Sequence, residues 1–551
     1  MFVGLRLQSR SFLFTAFAVQ LLGGALFLLR LQGAEGDSAA VFSAGWSGLL
    51  SASLIGLALI GGMLLAARDD MVRNDVRLLR GLSVVLLAGL VLINLAVLFV
   101  LPWQTASGVW AASGLLIIWL SLYLKQRVSF VFGLLLQLLG GASFLMAGPA
   151  LLGPLNAEDL RPLAHSGFWT PLVLGLAALV GAWRLQRAHA AQELDALSLQ
   201  RLSELLLIWG AGWWALAWVS EVLRFAPANL QGSFLLLIAA ISVAVWSVLS
   251  LRLKWPALGL LCTLLIPAAG CVLVATGHSH YHPAANFGWL AWLAVFAVHF
   301  LSLKRLAPML PARARSTAHV LGCWLLMAVL MLELRYGLLL LSEQYNAWRW
   351  LAWAILPGLY LVLMATPRTL PWPVSAQPRE YRVYAAAPMA LLMLGWFWLT
   401  NTFSDGNSEP LPYVPLLNPL ELGLLFALFG IYVWARNAVE QSTNGWNRVG
   451  HIAQLIAGVS LFAFFTALVM RTAHQWMGVP YELDALLESM FVQAGLSIVW
   501  TLIALGLMIG GHLRHRREVW LIGAALIAVV VAKLFFVESV SYTHLTLPTK
   551  A

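Results

Sequence analysis

Apolar runs close to 20 residues long recur from one end of this 551-residue chain to the other. A helix rising 1.5 Å per residue needs about that length to cross ~30 Å of hydrocarbon. The strands of a membrane barrel would alternate apolar and polar residues, and these runs do not alternate. Seventeen runs read as transmembrane helices: 12–29, 47–67, 81–101, 105–124, 128–152, 168–185, 202–222, 230–251, 256–276, 286–303, 317–341, 346–366, 383–401, 416–435, 450–470, 489–510 and 518–537. The fold expected is an all-α polytopic transmembrane bundle. Composition excludes a soluble alternative: 61% of residues are hydrophobic and 10% charged, where a soluble domain carries about 25% charged residues. The first run is long enough to span and has no small-residue cleavage site behind it.

Orientation follows from Lys and Arg, which are retained in cytoplasmic loops. With the N-terminus inside, 25 of the 33 basic residues fall in inside segments, from Arg6 and Arg10 to Arg514, Arg516 and Arg517. Outside segments hold only Arg30, Arg161, Arg224, Arg349 and Arg471, while Arg335 and Lys533 lie at or within spans. The bias holds loop by loop, so a missed span would have broken it. The net charge of +10 is therefore a topology signal with affinity for anionic lipid. Membrane lipids are the expected partners. No basic segment with aromatic platforms supports nucleic acid.

Two segments resemble each other. "LRLQSR" precedes span 1, which contains "QLLGGALFL"; "LYLKQR" precedes span 5, which contains "QLLGGASFL". Gln20 and Gln137 align, as do Arg10 and Arg127. Span 9, with "LRLK" and "PAAGCVL", is a weaker match. The spacing suggests a four-helix unit repeated in parallel, a known way to build transporters. Each Gln would need a hydrogen-bond partner within the bundle. The three cysteines, Cys262, Cys271 and Cys323, show no metal-ligand spacing and read as small packing residues.

Charges within spans are costly and need a reason. Span 7 leaves with Glu221 and Arg224, span 11 with Glu333 and Arg335, and span 15 with Arg471 and His474. All three exits are on the outer side. These six residues are the candidate polar pocket, weighed against plain interfacial anchoring. Glu333 is expected within reach of an Arg or His from another span, Arg471 first, beneath a cleft lined by Trp476 and Tyr413. The "GHSHYHP" loop brings His278, His280 and His282 together. Alternating histidines can chelate zinc or copper, but no carboxylate or cysteine nearby in sequence completes a site, so a solvated loop is the better reading; His165 and His474 are also outside. Glu482, Asp484 and Glu488 precede span 16, where a helix dipole favours acids. No catalytic triad order, phosphate loop or metalloprotease helix is present, and no cofactor is indicated.

Three stretches, "SDGNSEPLPYVPLLNPLEL" (404–422), 471–500 and "RREVWLIGAALIAVVVAKLFFVES" (516–539), resemble the bacterial predicted-membrane-protein family called domain of unknown function 2339. The resemblance implies a bacterial inner-membrane protein with many helices and carries no activity. Its members are typically longer, with a polar N-terminal segment and a further apolar helix after the "KLFF" region. Here the chain reads "VSYTHLTLPT" instead, ten residues that a transposase-type sequencing adapter encodes when read in frame. A single membrane domain is expected over 1–539, lacking at least one C-terminal span, with 540–551 a translated adapter. The function classes left open are a transporter or carrier with an outward polar pocket, an integral envelope enzyme acting on lipid-linked substrate at the outer leaflet through Glu333, Arg335, Arg471 and His474, and a non-catalytic membrane scaffold.

Overall fold

The computed structural model describes residues 2–34, 40–146, 161–190, 198–277, 281–340, 346–441 and 447–538. His278, His280 and the tail 540–551 lie outside them. Among the described residues, seventeen helices are long and apolar enough to cross a membrane: Arg10–Leu29, Gly45–Ala66, Val76–Phe99, Trp103–Tyr123, Arg127–Met146, Ser166–Ala190, Leu199–Phe225, Gln231–Leu253, Pro256–Thr276, Gly288–Leu306, Ala312–Leu339, Ala347–Ala365, Glu380–Phe403, Pro419–Asn437, Ile452–Met477, Met490–Leu513 and Arg517–Phe536. They are spans 1 to 17 below, and each coincides with a run read from the sequence. Helices prevail because hydrocarbon offers backbone groups no partner, and a helix satisfies them within one segment. Beyond helices and turns, the described residues hold only an isolated bridge, Gly33 to Phe42. Spans are numbered in chain order, and the side on which the Lys/Arg topology puts the ends of odd-numbered spans is called the odd-exit face.

The chain divides into two compact units, Met1–Leu261 and Cys262–Ala551. The division falls inside span 9, where the helix is interrupted between Cys262 and Leu265. Pro267 explains the interruption: it lacks an N–H, and its ring crowds the carbonyl four residues back. Span 12 breaks in the same way between Leu351 and Ile355, four residues or fewer ahead of Pro357. Ala352 and Ala354, in that break, are fully buried.

In the first unit, close helix pairs rest on glycine. A Cβ on Gly56 (span 2) would lie 2.9 Å from the Gly89 carbonyl (span 3), and one on Gly89 would lie 2.9 Å from the Gly56 carbonyl. Gly114 and Gly133 repeat the crossing between spans 4 and 5, and Gly175 and Gly210 between spans 6 and 7. Only a residue without a side chain allows backbones this near, and small residues drive helix association where lipid is as apolar as leucine. At the start of span 3, Asp75 accepts from the Arg77 N–H at 2.9 Å and pairs with Arg10 Nε at 3.1 Å.

The two "QLLGG" segments sit in different surroundings. In span 5, Gly140 packs against the Ser107 carbonyl and Gly141 against Trp209 and Trp213; in span 1, Gly24 meets Leu92 and Gly23 faces open space. The hydrogen-bond partners expected for the two glutamines are not found: the buried Gln137 amide and the Gln20 Oε1 have none. Packing against small residues has taken precedence over pairing. Gln137 is wedged against Gly114, its Cγ 2.8 Å from where a Cβ would stand. None of the three cysteines is in a disulfide, and two of them, Cys262 and Cys323, are buried.

Candidate functional site

In the first unit, Glu221 stands near the end of span 7, almost fully buried. Its Oε1 accepts the Leu163 N–H at 2.6 Å, and its Oε2 is 2.9 Å from His165 Nε2. Both donors belong to the segment that leads into span 6. Glu221 therefore fastens that segment to a helix end, and His165 is committed to it. Arg224 lies half-buried one turn further on.

Within the second unit, Glu333 near the end of span 11 does the same. Its carboxylate lies 3.0 and 3.1 Å from His282 Nδ1 and accepts the Ala284 N–H at 3.0 Å. The His282 ring stacks on Tyr336, centroids 4.1 Å apart and planes 9° from parallel. The partner expected first for Glu333 was Arg471; the partner found is a histidine from the loop between spans 9 and 10. Arg335, two residues on, points elsewhere, its guanidinium 5.9 Å from the Trp353 ring centre. With His282 so engaged, and among the described residues, no group of three metal-ligating side chains forms.

Arg471, in span 15, is the largest fully buried side chain among the described residues. Its counter-charge is Glu421, in the first turn of span 14, at 3.3 Å and equally buried. Arg471 also donates to the carbonyl and side-chain oxygens of Asn401, each at 3.3 Å. The shortest bonds of Glu421 go to the preceding loop: Tyr413 Oη donates to Oε1 at 2.6 Å, and the Leu416 N–H to Oε2 at 2.5 Å. Burial first, and then the bond to Glu421, pushes the Tyr413 hydroxyl above the usual tyrosine range.

That loop, residues 404–418, is built by its short polar side chains. Asp405 and Asn407 each accept the N–H two residues on, at 3.0 Å, the turn habit of such residues. Asn418 donates to the Gly406 carbonyl at 2.9 Å and the Ser408 hydroxyl at 3.0 Å. Gly406, at φ +81°, lies so near Arg471 that a Cβ there would stand 3.0 Å from Arg471 Cδ. The loop also accepts the Ala347 N–H of span 12 through the Asn407 carbonyl at 2.9 Å. Tyr413 and Arg471 share Glu421 Oε1, and Trp476 Nε1 donates to the Tyr413 carbonyl at 3.2 Å. His474 binds the Val479 carbonyl at 2.7 Å and stands 3.8 Å from Asp405. Further along, Lys533 of span 17 donates to the Gln493 carbonyl at 2.6 Å and the Ser497 hydroxyl at 2.7 Å, which satisfies a cation that the sequence left inside a span.

A common plan joins Glu221, Glu333 and Glu421. Each accepts the N–H of the residue directly after a proline, Pro162, Pro283 or Pro415, and each takes a second bond from a ring side chain of the same loop, His165, His282 or Tyr413. Proline fixes its own φ and offers no donor, so the next N–H is presented in a set direction. The carboxylate supplies a strong charge-assisted acceptor. Sequence reasoning missed Glu421, although an acid in the first turn of an apolar span was a signal for it.

No curated protein and no solved structure matches the chain. A family model described as a predicted membrane protein, DUF2339, matches residues 5–546, and the chain belongs to that family.

Proposed function

We propose that this protein is a non-catalytic integral-membrane scaffold that holds an ordered face outside the cytoplasmic membrane of a bacterium. The observation that carries this reading is the shared plan of Glu221, Glu333 and Glu421: each carboxylate accepts both an N–H and a ring side chain of its own loop. The Lys/Arg count supports a cytoplasmic N-terminus, which makes the odd-exit face the outer one. Lipid is the surrounding partner, and the basic inner loops suit anionic headgroups.

A carrier is the second reading. It is favoured by the buried Arg471–Glu421 pair and by the proline-interrupted spans 9 and 12, since discontinuous helices and intramembrane charges mark transport sites. In a carrier, loop 404–418 must release Arg471 during each cycle.

Cysteine accessibility separates the two. Asn401→Cys and Thr472→Cys, each in a background without the native cysteines, are treated in intact cells with a membrane-impermeant maleimide. Lasting protection at both positions is expected of the scaffold. Labelling that rises and falls with growth conditions or added solutes would overturn it in favour of the carrier.

A further inference from the structure

The first unit carries a cavity of about 250 Å³ at the odd-exit face, between the end of span 1 and the start of span 2. Phe27 and Phe99 form its floor, and Arg30, Ser43, Ser47 and Ser51 supply its polar wall. The floor is set by aromatic packing, with ring centres 6.1 Å apart for Phe27 and Phe99 and 5.4 Å for Phe42 and Phe99. Gly48 admits Phe99, because a Cβ there would lie 2.3 Å from the ring.

Arg30 is exposed and forms no ion pair among the described residues. Ser47 and Ser51 are four residues apart and so share one face of span 2. The hydroxyls of Ser43 and Ser47 donate to the Gln32 and Ala44 carbonyls at 3.2 and 2.7 Å, which fixes their positions and spends their protons, so neither donates to an anion. The Ser51 hydroxyl is available to donate. Leu26, Leu29, Trp46 and Leu50, each next in sequence to a lining residue or one turn of helix from one, are exposed, apolar surface suited to hydrocarbon. A planar guanidinium beside a hydroxyl free to donate, Ser51, recognises the tetrahedral oxygens of phosphate, and an aromatic floor suits the apolar part of the same molecule.

We propose that this cavity binds a phosphate group, with Arg30 as the residue that recognises the anion and Ser51 as a supporting donor. The phosphate belongs either to a lipid headgroup or to a free phosphate compound.

The test uses the full chain purified in dodecyl maltoside. Native mass spectrometry follows retention of added dioleoylphosphatidylglycerol, and equilibrium dialysis follows radiolabelled orthophosphate. The variants are Arg30→Ala, Arg30→Lys, Ser51→Leu and, as a control at another exposed arginine of the same face, Arg161→Ala. Loss of one charge-assisted contact should weaken phosphatidylglycerol binding about tenfold in Arg30→Ala. A smaller loss is expected in Ser51→Leu, partial retention in Arg30→Lys, and no change in Arg161→Ala. Binding of the lipid without orthophosphate identifies a headgroup; binding of orthophosphate that Arg30→Ala removes identifies a free phosphate compound. Binding of neither probe, or equal losses in Arg30→Ala and Arg161→Ala, overturns the proposal. Ser51→Leu, at an exposed and lipid-compatible position, keeps the test valid if Arg30→Ala fails to fold.

Discussion

Removing both members of the Arg471–Glu421 pair should damage the second unit less than the two single removals added together. Glu421→Leu leaves a guanidinium with no solvent exposure and no counter-charge, and it also strands the Tyr413 hydroxyl and the Leu416 N–H. Breaking a buried pair in this way costs about 3–5 kcal/mol. Arg471→Met leaves the Glu421 carboxylate buried, but with its two loop donors still in place at 2.6 and 2.5 Å. Its cost should fall at the low end of that range, ~3 kcal/mol. In the double variant no charge remains buried, and the loss reduces to two unpaired loop donors at about 1–3 kcal/mol each. The double variant should therefore be more stable than the sum of the singles by at least ~2 kcal/mol, the size of coupling seen for directly contacting groups. Unfolding in dodecyl maltoside micelles titrated with dodecyl sulfate, followed by circular dichroism, gives the order of midpoints. Both singles should unfold early, and the double variant should recover part of the loss seen in Glu421→Leu. Additive losses would show that the two side chains are not coupled and would refute the clamp at Glu421.

Three other outcomes are expected. A cysteine at Glu409 should react with an impermeant maleimide applied outside intact cells and one at Asn74 should not; the reverse would invert the topology. Gly175→Ala should cost about 1–3 kcal/mol by overpacking, because its Cβ would stand 2.9 Å from the Trp214 backbone nitrogen; a neutral effect by the same unfolding assay would show that spans 6 and 7 can separate without loss. The Tyr413 hydroxyl is held above the usual tyrosine range, so the stability it contributes is complete below the ordinary tyrosine pKa of ~10 and is lost as pH rises from there through the folded-state value. Tyr413→Phe should flatten that alkaline decline, and an unchanged pH profile would place the titration elsewhere.

Hydropathy made the spans legible because apolar length is a requirement that tertiary packing cannot alter. Glu221, Glu333 and Arg471 were legible for a related reason, since an ionisable group at the edge of hydrocarbon must have a partner. The identity of each partner was not legible. Glu421 lies 50 residues before Arg471, and Glu333 51 after His282, and no local periodicity encodes such pairings. The loop clamps depend on the direction of one N–H after a proline, which composition does not reveal. The two "QLLGG" segments show the opposite limit: like sequences occupy unlike surroundings, because a Leu- and Gly-rich helix accepts many neighbours.

Glu421 holds down loop 404–418, and amide hydrogen exchange of the full chain reads that hold residue by residue. In the unaltered protein, peptides covering Asp405 to Leu417 should exchange slowly, with the Leu416 amide protected by its 2.5 Å bond to Glu421. The Asn407 and Glu409 amides should be protected by the Asp405 and Asn407 side chains. In Glu421→Ala the Leu416 region should lose that protection. Exchange of the unaltered loop within seconds, or a Glu421→Ala profile identical to it, would contradict the clamp and the scaffold reading that rests on it.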